Sequence, residues 1–182
     1  MTNRQVALIR GINVGKAKRV AMADLRAALE ALGYTDVKTL LNSGNVVFTS
    51  GVAPDEAAAS IEKVLADQLG VPARVTVITG AELAAAVDEN PLLEIADNHS
   101  RLFVAVLVNP ADLSKLKPLT KEAWDPEVLA LSTRVAYLWC PAGPLESPLS
   151  QAVGRALGDG VTSRNWATIL KIHAAAQAAP GP

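Results

Sequence analysis

Hydrophobic positions fall in two spacings along this chain, and their alternation predicts most of its elements. Val6-Ala7-Leu8-Ile9 has no polar alternation, which predicts a strand covered on both faces. Met22, Leu25, Leu29 and Leu32 then recur at helical spacing, and Gly33 closes that helix. Val37 to Leu41 reads as a second strand. Asn42-Ser43-Gly44-Asn45 is turn chemistry, because Gly and Asn tolerate positive φ, and Val46-Val47-Phe48 reads as the returning strand of a hairpin. Pro54 opens the next helix where a missing N–H costs little, and Ile61, Leu65 and Leu69 form its apolar stripe. After Gly70, a strand carries Val75 and Val77 on one face. The order β-α-β-β-α-β is the split βαβ, or ferredoxin-like, signature.

The pattern then repeats in outline. Gly80 to Asn90 reads as a helix broken by Pro91-Leu92-Leu93, and Asp97-Asn98-His99-Ser100 as a polar link. Leu102 to Val108 is an apolar run like the first. A short helix from Asn109-Pro110 to Lys117 follows, then strands at Val128 to Leu131 and Val135 to Cys140, and a helix from Pro148 to Leu157. Thr162 or Ser163 has the chemistry of a helix N-cap, with Trp166, Ile169, Leu170 and His173 on one face of the last helix. The expectation is an α+β protein of two ferredoxin-like subdomains with mostly antiparallel sheets. The first spans residues 1–90, the second 101–182, and 91–100 connect them.

Composition narrows the function classes. The 182 residues are 50% hydrophobic but only 4% aromatic, so the core is aliphatic. A net charge of −1 argues against a general nucleic-acid binder without excluding a local basic patch. The single cysteine, Cys140, is too few for a disulfide framework or a thiolate metal site. The N-terminal apolar run is too short for a signal peptide or a membrane span, so a soluble cytoplasmic protein is expected.

The chemistry concentrates in Arg10-Gly11-Ile12-Asn13-Val14-Gly15-Lys16, at the exit of the first strand. A helix crossing between strands 1 and 2 makes them parallel, so their exits lie at one end of the sheet. Arg10, Asn13, Gly15 and Lys16 should therefore meet Asn42, Ser43 and Asn45. Such a rim offers cations, amides, a hydroxyl and glycine backbone N–H groups for an anion. The structural alternative is that the glycines serve the turn while Arg10 and the asparagines hydrogen-bond the loop. The loop lacks the Gly-Lys-Ser/Thr ending and dinucleotide glycine spacing of known phosphate loops. Arg164 and Asn165, at the start of the last helix, form a second anion candidate, against a structural ion pair and a helix cap. Lys16, Lys18 and Arg19 make a small basic run that reads as a solvated loop. His99 and His173 have no partner at metal spacing, and Cys140 reads as an inert core thiol.

Three segments carry a family likeness: Leu8-Ile9-Arg10-Gly11-Ile12-Asn13-Val14-Gly15, Leu41-Asn42-Ser43-Gly44-Asn45-Val46-Val47-Phe48, and Thr162-Ser163-Arg164-Asn165-Trp166-Ala167-Thr168. On these the chain resembles the bacterial domain-of-unknown-function 1697 family. The resemblance implies a duplicated α+β fold of two ferredoxin-like subdomains and no established activity. The chain departs from that family at Pro144-Leu145-Glu146-Ser147-Pro148-Leu149, where members tend to carry basic residues beside the serine.

The leading expectation is binding of a small anionic, phosphate-bearing metabolite at the Arg10–Lys16 loop and Asn42–Asn45 turn. The alternatives are an enzyme acting on a phosphorylated compound at the same site, or a nucleic-acid or protein interaction module. Nucleic acid ranks low, because the candidate strands offer Phe48 and little else to stack bases on. Whether the protein is an enzyme, its cofactors, its oligomeric state and the reach of Arg164 and Asn165 to the first loop stay open at this stage.

Overall fold

Strand β1, Asn3–Ile9, lies inside the first sheet, and its neighbours explain its unbroken apolar run. The computed structural model describes residues 3–179. After β1 come α1 (Met22–Ala31), β2 (Thr35–Leu40), β3 (Asn45–Ser50), α2 (Pro54–Asp67), β4 (Val75–Thr79) and α3 (Gly80–Asp88). The sheet order is β2-β3-β1-β4, with every neighbouring pair antiparallel. Because β3 is antiparallel to both β1 and β2, those two strands point the same way, as the crossover helix requires.

Alternate residues of this sheet divide between its faces. Ala7, Ile9, Val46, Phe48, Val75 and Val77 pack with Leu25 and Leu29 of α1 and Ile61 and Leu65 of α2. Val6, Leu8, Val47 and Ile78, on the other face, are buried as well. Truncating Leu25 or Ile61 to Ala would cost about 2–5 kcal/mol, the usual range for a fully buried aliphatic side chain. Phe48 stacks on Tyr34 with ring centroids 4.9 Å apart. No side chain caps α1, whose N-cap is Ala21, so its buried stripe carries its stability. Helix α2 has Pro54 in its first turn followed by Asp55 and Glu56, which complement the helix dipole.

The second sheet contains β5 (Leu102–Leu107), β6 (Val128–Leu131), β7 (Val135–Trp139) and β8 (Val161–Asn165), in the order β6-β7-β5-β8. This is the strand order of the first sheet, so the duplicated ferredoxin-like topology is complete. The expected short helix after β5 is instead a pair of 3-10 helices, Pro110–Lys115 and Pro118–Lys121. Asn109 caps the first by accepting from the Ala111 N–H at 3.1 Å, and Pro118, lacking an N–H, keeps the two from joining. Helix α4 (Pro148–Leu157) packs Leu149, Val153 and Leu157 against Ala105, Leu107 and Leu138.

Thr162 and Ser163 depart from the expectation of a helix N-cap. They pair with Val106 and Ala105 in β8, and α5 (Trp166–Gln177) begins only at Trp166. The open edge of β5 needs a partner for its backbone N–H and C=O groups, and that demand outweighs local capping preference. Trp166, Ile169 and Ile172 are the fully buried residues of α5, whereas Leu170 and His173 are half-buried.

Two compact units emerge. One runs through Leu83 and takes in the chain from Lys171 onward; the other runs from Ala84 to Leu170. Segment 91–100 lies inside the second unit. In the first, the Arg4 guanidinium donates to the Ala175 carbonyl at 3.3 Å, tying the end of α5 to β1.

Two predictions follow from this packing. Gly44, at φ 86°, has no room for a Cβ: one would lie 2.9 Å from Ile9 and Ile12 side-chain carbons. Gly33, at φ 89°, has nothing within 4 Å. Alanine strains the backbone at both, so the clash alone should separate them. Urea denaturation should find Gly44→Ala less stable than Gly33→Ala by about 1–3 kcal/mol.

Cys140 is fully buried, and loss of solvent pushes its thiol up to about 11. The folded state therefore holds this proton to higher pH than the unfolded chain. That contribution is intact below about pH 9 and is lost as pH rises through about 11. Denaturation curves collected across that window should fall with pH in the parent, and less steeply in Cys140→Ala.

Candidate functional site

The ends of β1 and β2 build one rim from two segments of chain. The Ile9 N–H donates to the Gly44 carbonyl at 2.8 Å, which sets the turn after β2 against the exit of β1. The Arg10 N–H donates to the Arg74 carbonyl at 2.9 Å, which holds the other side of the same exit. Ile12 is buried beneath the rim and anchors the loop.

Asn13 joins the parts. It sits at φ 55°, a conformation that Asn tolerates better than most residues. Its N–H donates to the Lys18 carbonyl at 2.9 Å, closing the loop on itself. Its Oδ1 accepts from the Val20 N–H at 2.8 Å, and its Nδ2 donates to the Val20 carbonyl at 2.9 Å. The same Nδ2 donates to the Asn42 carbonyl at 2.9 Å, bridging to the second segment. One carboxamide thus satisfies three backbone groups that the loop would otherwise leave to solvent.

Asn45 works in the same manner within the turn. It is fully buried, and its Nδ2 donates to the Leu40 carbonyl and the Ser43 hydroxyl, each at 3.0 Å. Asn13 and Asn45 are therefore hydrogen-bonded organisers of the loops, the structural role set beside the binding one above. Arg10, Gly15, Lys16, Asn42 and Ser43 are exposed on the same rim. Gly11 and Gly15 adopt positive φ, 70° and 62°, the left-handed conformation that glycine takes without a side-chain penalty.

Sequence reasoning passed over the apolar part of this rim. Val14 is 68% exposed and Leu41 46% exposed, and each adjoins one end of the Asn13–Asn42 link. The available signal was Leu41 itself, a bulky residue immediately before turn chemistry. Lys18 and Arg19, read as a solvated run, are exposed there too.

Arg164 and Asn165 belong to the second unit, at the end of β8. The Asn165 Oδ1 accepts from the Thr168 N–H at 2.9 Å and caps α5. The half-buried Arg164 donates to the Ser163 carbonyl at 3.0 Å, and desolvation pushes its guanidinium down to about 10, still cationic at neutral pH. In the same unit, a cleft of about 360 Å³ is lined by Ser100, Arg101 and the turn Ala142–Glu146, a feature the hydropathy pattern did not suggest.

Other groups have plain structural roles. The Ser147 hydroxyl lies 3.4 Å from the Cys140 sulfur, accepts from the Ser150 N–H at 2.9 Å and donates to Glu127. Glu127 also accepts from the Leu149 N–H at 3.2 Å, so its carboxylate closes the start of α4. Among the described residues no group of three or more His, Cys, Asp and Glu side chains is placed to hold a metal ion, and no helix is long and apolar enough to cross a membrane.

Comparison with known proteins adds a family and a fold. The family model described as a protein of unknown function (DUF1697) matches residues 1–137. No curated protein matches the sequence. The solved structure of the conserved bacterial protein SP0830 from Streptococcus pneumoniae is similar over 97% of this chain and 100% of that one, with a TM-score of 0.76 and 22% identity. At that identity the likeness is one of fold. The family match begins ahead of β1, includes both rim segments and reaches into β7, and on that extent the chain belongs to the DUF1697 family.

Proposed function

We propose that this protein binds a small anionic, phosphate-bearing metabolite at the rim formed by the Arg10–Lys16 loop and the Asn42–Asn45 turn. The observation that carries the reading is the Asn13 carboxamide, which fixes two distant segments side by side. The exposed Arg10 and Lys16 stand on that fixed frame. A guanidinium can grip a phosphate through two hydrogen bonds, and an ammonium adds a compact charge. Left-handed glycines such as Gly11 and Gly15 favour the turn geometry in which backbone N–H groups can meet an anion.

Binding, rather than turnover, is the function these residues support. Residues 10–20 and 41–45 include no carboxylate, histidine or cysteine, so the two segments bring no conventional general base of their own. Stacking of nucleic-acid bases is not favoured on this sheet either, because Phe48 is buried against Tyr34. Arg164 and Asn165 remain a separate candidate for an anion, and the capping bond of Asn165 supports the structural role more directly.

Thermal unfolding with and without inorganic phosphate and simple phosphate esters tests the proposal. The parent should melt higher in at least one of them, by mass action on the folded state. Arg10→Ala should lose most of that gain, consistent with about 1.5–3 kcal/mol for one charge-assisted contact. Arg164→Ala should retain it. No shift with any phosphate compound in the parent would overturn the proposal.

A further inference from the structure

We infer that the cleft between Arg101 and the turn at residues 142–146 is a second site, which takes a small zwitterion. The class of ligand is an amino acid or short peptide with a free ammonium, a free carboxylate and an apolar side chain. The cleft lies wholly in the second unit, so the inference is independent of the rim proposed above. Its volume of about 360 Å³ falls within the span of small-molecule sites, roughly 300–1,000 Å³.

Backbone bonds fix the frame of the cleft. The Arg101 N–H donates to the Asn98 carbonyl, and the Arg101 carbonyl accepts from the Cys140 N–H, each at 3.0 Å. The Gly143 N–H donates to the Cys140 carbonyl at 2.8 Å, closing a turn whose second residue is Pro141, a position that suits proline. Gly143 sits at φ 100°, and a Cβ there would lie 3.3 Å from the Arg101 Nη1. The absent side chain lets the guanidinium lie against the turn. Arg101 Nη1 also donates to the Pro141 carbonyl at 2.8 Å, which holds the side chain in place.

Charge decides the class of ligand. Arg101 and Glu146 both line the cleft, yet neither forms an ion pair with the other or with any other described residue. The bond to Pro141 uses one donor of a guanidinium that has several, and the rest are left for a carboxylate. The exposed Glu146 carboxylate accepts no hydrogen bond from the described residues and is left for an ammonium. A simple anion would be repelled by Glu146, and a simple cation by Arg101. A molecule that carries both charges satisfies both. The Ser100 hydroxyl donates to the Asn98 Oδ1 at 2.6 Å, so its oxygen is left as an acceptor for a ligand N–H. Pro144 and the 91% exposed Leu145 give the cleft an apolar wall for the ligand's side chain.

Isothermal titration of the full chain with leucine and with leucyl-leucine tests the inference. At least one should bind, and the tighter of the two tells whether a free amino acid or a peptide is the source. Acetylating the ammonium or amidating the carboxylate of that probe should each weaken it about tenfold or more, the scale of a lost charge-assisted bond. Arg101→Gln should bind the amide as well as the free acid while still preferring a free ammonium. Glu146→Gln should show the converse. Glu146 makes no bond inside the described fold, so that variant removes only a charge and should melt with the parent. Arg10→Ala, in the first unit, should bind both probes as the parent does.

No binding of either zwitterion by the parent would overturn the inference. So would blocked forms that bind as tightly as the free ones, or variants at residues 101 and 146 that keep the parent's preference at both ends of the ligand.

Discussion

Insertion of β3 between β1 and β2 is the constraint on which the rest of the first unit depends. It makes every neighbouring pair antiparallel while leaving β1 and β2 parallel to one another. Their exits therefore share one end of the sheet, which no hairpin of adjacent strands would allow. The Asn13 carboxamide converts that coincidence of direction into a fixed rim. It gives Val20 and Asn42 hydrogen bonds that their backbone groups would otherwise make to water. Gly44 supports it from below, since only the absence of a side chain lets the turn approach Ile9 and Ile12 so closely.

Stability and site formation thus draw on the same residues. The aliphatic core under the helices holds the sheet, the sheet aims the two exits, and the hydrogen-bonded Asn13 and Asn45 shape what emerges. The exposed groups are then free to differ in character from the surface around them. Exposed cations and two exposed apolar side chains stand on that frame. The second unit shows the same strand order with different dressing. Two 3-10 helices replace the first crossover helix, and Glu127 rather than solvent meets the start of α4.

Much of this was legible in the residues. Unbroken apolar runs at Val6–Ile9 and Leu102–Val108 marked the central strands β1 and β5, because residues on both faces of each strand are buried. Turn chemistry at Asn42–Asn45 located the hairpin, and the crossover rule gave the direction of the exits. β8 was not legible, since Thr162-Ser163 has the local chemistry of a helix start and its strand state comes from a partner far away in sequence. Nor could the sequence divide the asparagines by role. Burial sets Asn45 wholly within its turn, and burial is a property of the assembled fold. Leu41 was read as a strand residue because its left-handed conformation depends on how the turn closes.

A backbone amide titration of the full chain by nuclear magnetic resonance tests the central claim most directly. With pyrophosphate as the probe, the shifts should form one contiguous set that includes Arg10–Lys16 and Leu41–Asn45, two segments distant in sequence that the Asn13 bridge links. Shifts confined to one of those segments, or centred on the cleft lined by Arg101 and Glu146, would contradict a shared rim as the binding site.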